Sequence, residues 1–197
     1  MKEADMLSVG SMLPDILTAS SGRSGIFSRT VPRSPDPTPR IFRQIERHGD
    51  RIPTILRKAL EALLTGRTPW PGYVFGTAGV GKTCAGLWVF DHFCAMWLDT
   101  YRLADICWDS VTETFLWRHA SEMPLVIVDE VGAACGERAY LGIKRLADLR
   151  GRRPTLWLSN LSPQCLLETF DDRLYSRLCC GTVVEVQGPD QRFLDAS

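Results

Sequence analysis

Between residues 76 and 83 the chain reads Gly76-Thr77-Ala78-Gly79-Val80-Gly81-Lys82-Thr83, which satisfies G-x-x-x-x-G-K-[ST] at every fixed position. A short apolar run, Tyr73-Val74-Phe75, precedes it, and residues 84–90 have the composition of a helix. Strand, glycine-rich loop and helix in that order define a P-loop. Glycines let successive backbone N–H groups turn towards one anion, and the helix N-terminus adds partial positive charge. In such a loop Lys82 reaches the β- and γ-phosphates and the Thr83 hydroxyl holds Mg2+. A glycine-rich turn without a ligand is the plainer reading; a second matching element downstream argues against it.

That element is Leu125-Val126-Ile127-Val128 followed by Asp129-Glu130. Consecutive apolar residues, mostly β-branched, indicate a strand buried on both faces of a parallel sheet. An acidic pair at its end faces phosphate and metal: Asp129 would hold Mg2+, mainly through water, and Glu130 would polarise an attacking water. Further strands are expected at 94–98, 155–160 and 182–186. Helices are expected at 53–64, with Ile55, Leu56, Leu60, Leu63 and Leu64 as its apolar side, and at 109–120, with Val111, Phe115, Leu116 and His119 inward. Others follow at 139–150, 163–170 and 172–178. Strands alternating with helices imply an α/β fold whose ligand sits at the carboxyl ends of the strands, where the P-loop, Asp129 and Asn160 fall. Asn160 offers an amide to the water or the γ-phosphate, or else caps the next turn. Ser159 is a weaker candidate.

Arg173 and Arg177 stand four apart and share a helix face. An arginine delivered to a neighbour's nucleotide stabilises charge in phosphoryl transfer. Arg177 is the better candidate, since Asp171 and Asp172 are local partners for Arg173. Arg145, Arg150, Arg152 and Arg153 form a second basic cluster, suited to phosphates of DNA or simply to a helix C-terminus.

Net charge is zero but uneven: residues 23–67 carry ten basic and four acidic side chains, and residues 68–140 carry four and nine. A basic arm ahead of an acidic region is compatible with an anionic partner such as nucleic acid, or with a solvated arm. Residues 1–40 read as a flexible segment and a Pro-rich linker, with Met6, Leu7, Met12, Leu13, Ile16 and Leu17 as a short apolar pattern. A single folded domain is expected over 41–197, opening with an apolar face at Ile41, Phe42 and Ile45. The seven cysteines are odd in number and contain no C-x-x-C, and His48, His92 and His119 are scattered. Reduced thiols are expected, rather than a zinc site or a disulfide framework. No apolar run reaches the ~20 residues of a membrane helix and no signal peptide is evident, so the expectation is a cytoplasmic protein without a membrane partner. The six tryptophans are too dispersed for a base-stacking platform and are expected mostly in the core.

Together these segments resemble the AAA+ ATPases of the DnaC/IstB type, the helicase loaders and transposition helpers. The P-loop matches the Walker A motif, and residues 125–130 match Walker B, with Val131-Gly132 after it. Residues 153–162 resemble the sensor 1 strand and its turn, Asp172-Arg173-Leu174-Tyr175-Ser176-Arg177-Leu178 the arginine-finger helix, and residues 183–192 the usual ending. The resemblance implies a three-layer P-loop NTPase of AAA+ type, a five-stranded parallel sheet in the order 5-1-4-3-2. No C-terminal helical lid is expected, since the chain stops soon after the fifth strand. It implies ATP and Mg2+ as cofactors, ATP hydrolysis as a switch in replication or transposition, and single-stranded DNA and a helicase or transposase as partners; an arginine finger acting between subunits would require a homo-oligomer. Two other readings are a nucleotide-dependent binding module with negligible turnover, which Glu130 argues against, and a P-loop small-molecule kinase, which Asn160 and Ser176-Arg177-Leu178 argue against.

Overall fold

Side chains that alternate across a sheet buried on both faces define this molecule. The computed structural model describes residues 52–106, 110–133 and 136–191. In chain order these form α1 (Thr54–Leu64), β1 (Gly72–Gly76), α2 (Lys82–His92), β2 (Ala95–Asp99), α3 (Thr100–Ile106), α4 (Ser110–Glu122), β3 (Leu125–Val131), α5 (Glu137–Arg150), β4 (Thr155–Ser159), α6 (Pro163–Thr169), α7 (Asp172–Leu178) and β5 (Thr182–Val186). The expected segments at residues 1–45, the boundary near Ile41 and the tail from Arg192 lie outside the described residues, as do the side chain of Val111, Cys107, Trp108 and Cys135.

The strands pair in the order β2-β3-β4-β1-β5 and every pairing is parallel. This is the order that the resemblance implied, read from the other edge. Val74, Trp97, Ile127, Leu156, Leu158 and Val184 point to one face, where α1 and α2 cover them. Tyr73, Met96, Leu98, Val126, Val128 and Trp157 point to the other, under α3 to α7. The period of two sends neighbours to opposite cores, so β1 to β4 read as apolar runs rather than as alternating patterns. No α-helix follows β5 among the described residues.

Several expectations are corrected in detail. In α1 the residues Leu56, Leu60, Leu63 and Leu64 are buried at helical spacing, but Ile55 is 61% exposed. One residue before Leu56 is about 100° round the helix, so Ile55 falls outside the covered stripe. In α4 Leu116, Trp117 and Ala120 face inward, whereas Phe115 is exposed and its ring stacks on His119. The strand expected at 94–98 begins at Ala95, and Cys94 is exposed. Helix α3 was not anticipated; its signal was Asp99, whose Oδ1 accepts the Arg102 N–H at 2.8 Å as an N-cap does. Trp97, Trp117 and Trp157 are buried, as expected of core residues.

Arg150, counted in the basic cluster at the end of α5, does not face solvent. Arg150 is among the largest fully buried side chains. Its guanidinium donates to the carbonyls of Ala120 (3.0 Å), Met123 (2.7 Å), Pro124 (3.4 Å) and Pro154 (2.6 Å), and to Thr155 Oγ1 (3.2 Å). These carbonyls end α4 and open β3 and β4, so one side chain ties together the two connections at the amino edge of the sheet. Burial, with Arg153 nearby, lowers its pKa to about 10, which leaves it charged at neutral pH. Arg145 lies over the Trp117 ring at 4.9 Å, and Arg153 donates to the Ser121 carbonyl. Replacing Arg150 with methionine fills the space but leaves the carbonyls without a donor, and should cost about 3 kcal/mol or more. Urea unfolding of Arg150→Met should show the midpoint fall accordingly; an unchanged midpoint would mean that water substitutes for the guanidinium.

Candidate nucleotide site

β1 ends at Gly76, and α2 begins at Lys82, so the loop between them is anchored by a buried strand and a helix packed on the same core. Gly81, the N-cap of α2, has φ +95°, a conformation that a side chain disfavours. No side chain caps this helix, so its first N–H groups turn into the loop, the arrangement that binds anions. The Lys82 ammonium is drawn back over the loop, donating to the Gly76 and Thr77 carbonyls, each at 2.7 Å, and the residue is only 8% exposed.

Asp129 meets the loop from the other side of β4. It is 6% exposed, its Oδ1 accepts the Glu130 N–H at 2.9 Å, and the Thr83 side chain lies near its carboxylate. Burial pushes its pKa up to about 6; the Glu130 N–H, Thr83 and Lys82 oppose the shift, and the charge of Glu130 adds to it. A carboxylate held in this way, beside the P-loop threonine, fits a divalent cation. Thr83 and Asp129 would hold Mg2+, and the P-loop N–H groups with Lys82 would hold the phosphates.

Glu130 takes its direction from an irregularity in β3. Val128 pairs with Trp157 and Val131 with Ser159, so three steps on β3 match two on β4. The extra residue makes a bulge, and Glu130 within it has φ +59°, the one non-glycine residue with positive φ among those described. A bulge re-aims side chains: Asp129 stays buried and Glu130 stands exposed. Two hydroxyls hold this backbone: that of Thr100, which the sequence did not single out, and that of Ser159, a weaker candidate beside Asn160 there. Thr100 Oγ1 donates to the Glu130 carbonyl at 2.8 Å from the end of β2. Ser159 Oγ donates to the Val131 carbonyl at 2.7 Å and accepts the Leu161 N–H at 2.9 Å, from the end of β4. Ser159 is therefore a brace for the acidic pair. Thr100 was legible only as the residue after a strand.

Asn160 is exposed just beyond β4, between the P-loop strand and the acidic strand. Arg173 and Arg177 stand on α7, which packs on α5 and α6. Arg177 pairs with Asp148 of α5, and its Nη1 donates to the Arg173 carbonyl at 3.1 Å. The structure thus brings residues 76–83, Asp129 and Glu130 into one cluster with Asn160 at its rim. The described contacts of the two arginines do not reach that cluster.

The sequence matches no family model, and no curated protein is significantly similar to it. Its fold has counterparts among solved structures. Domain III of the replication initiation protein DnaA from Thermotoga maritima superposes with a TM-score of 0.58 at 21% identity, over 72% of this chain and 64% of that one. AMPPCP-bound DnaA from Aquifex aeolicus gives 0.54 at 22%, over 71% and 47%. DnaI gives 0.51 at 19%, over 78% and 83%. The chain spans about half to two thirds of the DnaA chains that it matches. At such identities the likeness concerns the fold alone: a five-stranded parallel α/β sheet with a glycine-rich loop after its first strand.

Two predictions follow from the acidic pair. The folded protein binds the Asp129 proton more tightly than the unfolded chain does. The stability linked to it is therefore fully present below the ordinary value of 3.8 and lost as pH rises through about 6. Asp129→Asn should accordingly raise the stability of the nucleotide-free protein by about 2 kcal/mol at pH 7.5, and by little at pH 4. Urea midpoints at the two pH values test this, and equal gains at both would refute it. Glu130→Gly should also stabilise the fold, by about 1 kcal/mol, because glycine relieves the left-handed backbone; a loss in thermal midpoint would show that the conformation is unstrained.

Proposed function

We propose that this protein binds and hydrolyses ATP with Mg2+ and uses the nucleotide as a switch in DNA replication or transposition, in the manner of the DnaC/IstB-type AAA+ proteins. The observation that carries the reading is a buried Asp129 carboxylate near the P-loop residues Lys82 and Thr83, beside a Glu130 turned outward by a bulge. A cation shared by Thr83 and Asp129 would neutralise charge on the phosphate chain. The chain's own residues do the rest. The backbone N–H groups of Gly76, Thr77, Ala78, Gly79, Val80, Gly81, Lys82 and Thr83 line the cradle. Lys82 leaves its two carbonyl partners for the phosphates. Glu130 orients and polarises a water for in-line attack, and Asn160 helps to position it.

Arg177 would complete the site of a neighbouring copy, with Arg173 beside it, once it leaves Asp148. This requires a homo-oligomer, and it gives Asp148 the role of holding the arginine in the separated chain. A replicative helicase or a transposase, and single-stranded DNA, are the partners proposed, with action in the cytoplasm. Support for the DNA partner comes from the fold: a DnaA structure of the same architecture was solved with AMPPCP and single-stranded DNA. Residues 1–40 are proposed as the arm that reaches such a partner, ahead of an ATPase domain from residue 41.

A binding module with negligible turnover is the second reading. Glu130 separates the two, because a pure binder has no use for an exposed acid in a strained backbone. Phosphate release should fall about 10²-fold or more in Glu130→Gln while nucleotide binding survives. Lys82→Ala should lose binding itself. Wild-type release at the level of Glu130→Gln would favour the module. Specific activity should rise with protein concentration and with single-stranded DNA, and Arg177→Ala should abolish the concentration dependence; activity flat in both variables would remove the arginine from the site.

A further inference from the structure

The segment after β5 does not leave the domain at once. The end of β5 runs beside the start of the P-loop, with Val186 in register with Gly76. Residues 188–191 then turn across the loop. The Gln191 backbone N–H donates to the Gly79 carbonyl at 3.0 Å. Asp190 lies against the same glycine so closely that a Cβ on Gly79 would sit 1.9 Å from its Oδ1, 2.1 Å from Cγ and 2.7 Å from Oδ2. Gly79 is not one of the fixed positions of the phosphate-binding pattern. It has φ +82°, and the space that its side chain would need holds a carboxylate. The phosphate loop of this chain is therefore in contact with an anion of its own.

We propose that residues 188–191 are a latch on the P-loop, and that the Asp190 carboxylate acts as an intramolecular competitor of the incoming phosphate chain. The proposal rests on the reading of residues 76–83 as a nucleoside triphosphate site. The loop is built to concentrate partial positive charge from N–H groups and the Lys82 ammonium on one anion. A carboxylate in van der Waals contact with the loop draws on the same field, and it repels a ligand that brings several negative charges. The backbone bond from Gln191 keeps it there. Seating a triphosphate then requires the carboxylate to swing away or the latch to open, so nucleotide state is transmitted to the chain that follows Gln191. A partner that grips that chain would raise nucleotide affinity, and by linkage nucleotide would raise the affinity for the partner.

The test uses the full chain and measures dissociation constants for MgATP, MgADP and adenosine at low and physiological salt. Asp190→Asn keeps the shape and removes the charge. It should bind MgATP roughly three- to tenfold more tightly than wild type, MgADP with a smaller gain, and adenosine unchanged. The gain should shrink with salt, because Asp190 is only half-buried. Gln191→Pro removes the N–H that holds the latch and should shift MgATP affinity in the same direction. Asp190→Asn binding MgATP no better than wild type overturns the proposal, as does an equal gain for adenosine, which would make the effect one of shape. If wild type itself binds no MgATP and matches Lys82→Ala, it is the nucleotide reading that fails.

Discussion

A carboxylate buried at the end of a parallel strand is unfavourable unless a cation or a set of donors reaches it. Asp129 has one backbone N–H, with Thr83 and Lys82 nearby, and these do not offset its burial. The rest of the site can be understood as the means of holding that carboxylate in place. Thr100 and Ser159 grip the carbonyls that follow it, of Glu130 and Val131, from just after β2 and from the end of β4. The bulge separates it from Glu130, so that two adjacent acids have different surroundings and different chemistry. The proposed cation ligand, Asp129, and the proposed water-activating acid, Glu130, thus come from consecutive residues.

The strand order makes this possible. β4 lies between the P-loop strand and the acidic strand, which leaves a strand's width between phosphate cradle and acids and places Asn160 in the gap. Placement of that kind needs the strands to end level with one another. Arg150 contributes from the opposite edge, where it fixes the starts of β3 and β4 through the carbonyls before them. Its charge stays in the interior because the guanidinium fork matches several carbonyls at once. A side chain that looks like part of a nucleic-acid surface in sequence is thus part of the frame that levels the site.

Most of the α/β architecture was legible because the strands are buried on both faces and read as apolar runs such as 125–128, and because the P-loop carries its own strand–loop–helix order. The strand order was not legible from spacing and came from the resemblance. Local errors have local causes. Ile55 and Phe115 are apolar and flank buried residues, but a helix covers only a stripe, and the burial of one neighbour exposes the next. Thr100 was passed over, and the bracing roles of Ser159 and Arg150 were not legible, for another reason. Their partners are backbone carbonyls from distant segments, and a carbonyl leaves no mark in a sequence. The bulge at Glu130 is invisible on the same ground, since nothing in Leu-Val-Ile-Val-Asp-Glu-Val signals an extra residue against a strand some thirty positions on.

The two functional readings of the site differ in what they ask of Glu130. A module that only binds nucleotide gains from Lys82, Thr83 and Asp129, and would be better served by glycine in the bulge. The chain instead keeps a charged residue in a left-handed conformation beside a buried carboxylate whose pKa it raises further. Both features destabilise the empty fold and neither improves the phosphate cradle. The strain falls on the acid that is exposed, next to the one that is buried, at the mouth of the glycine-rich loop. Retaining it is intelligible when a water must be activated there, and hydrolysis is the reading under which the cost has a use.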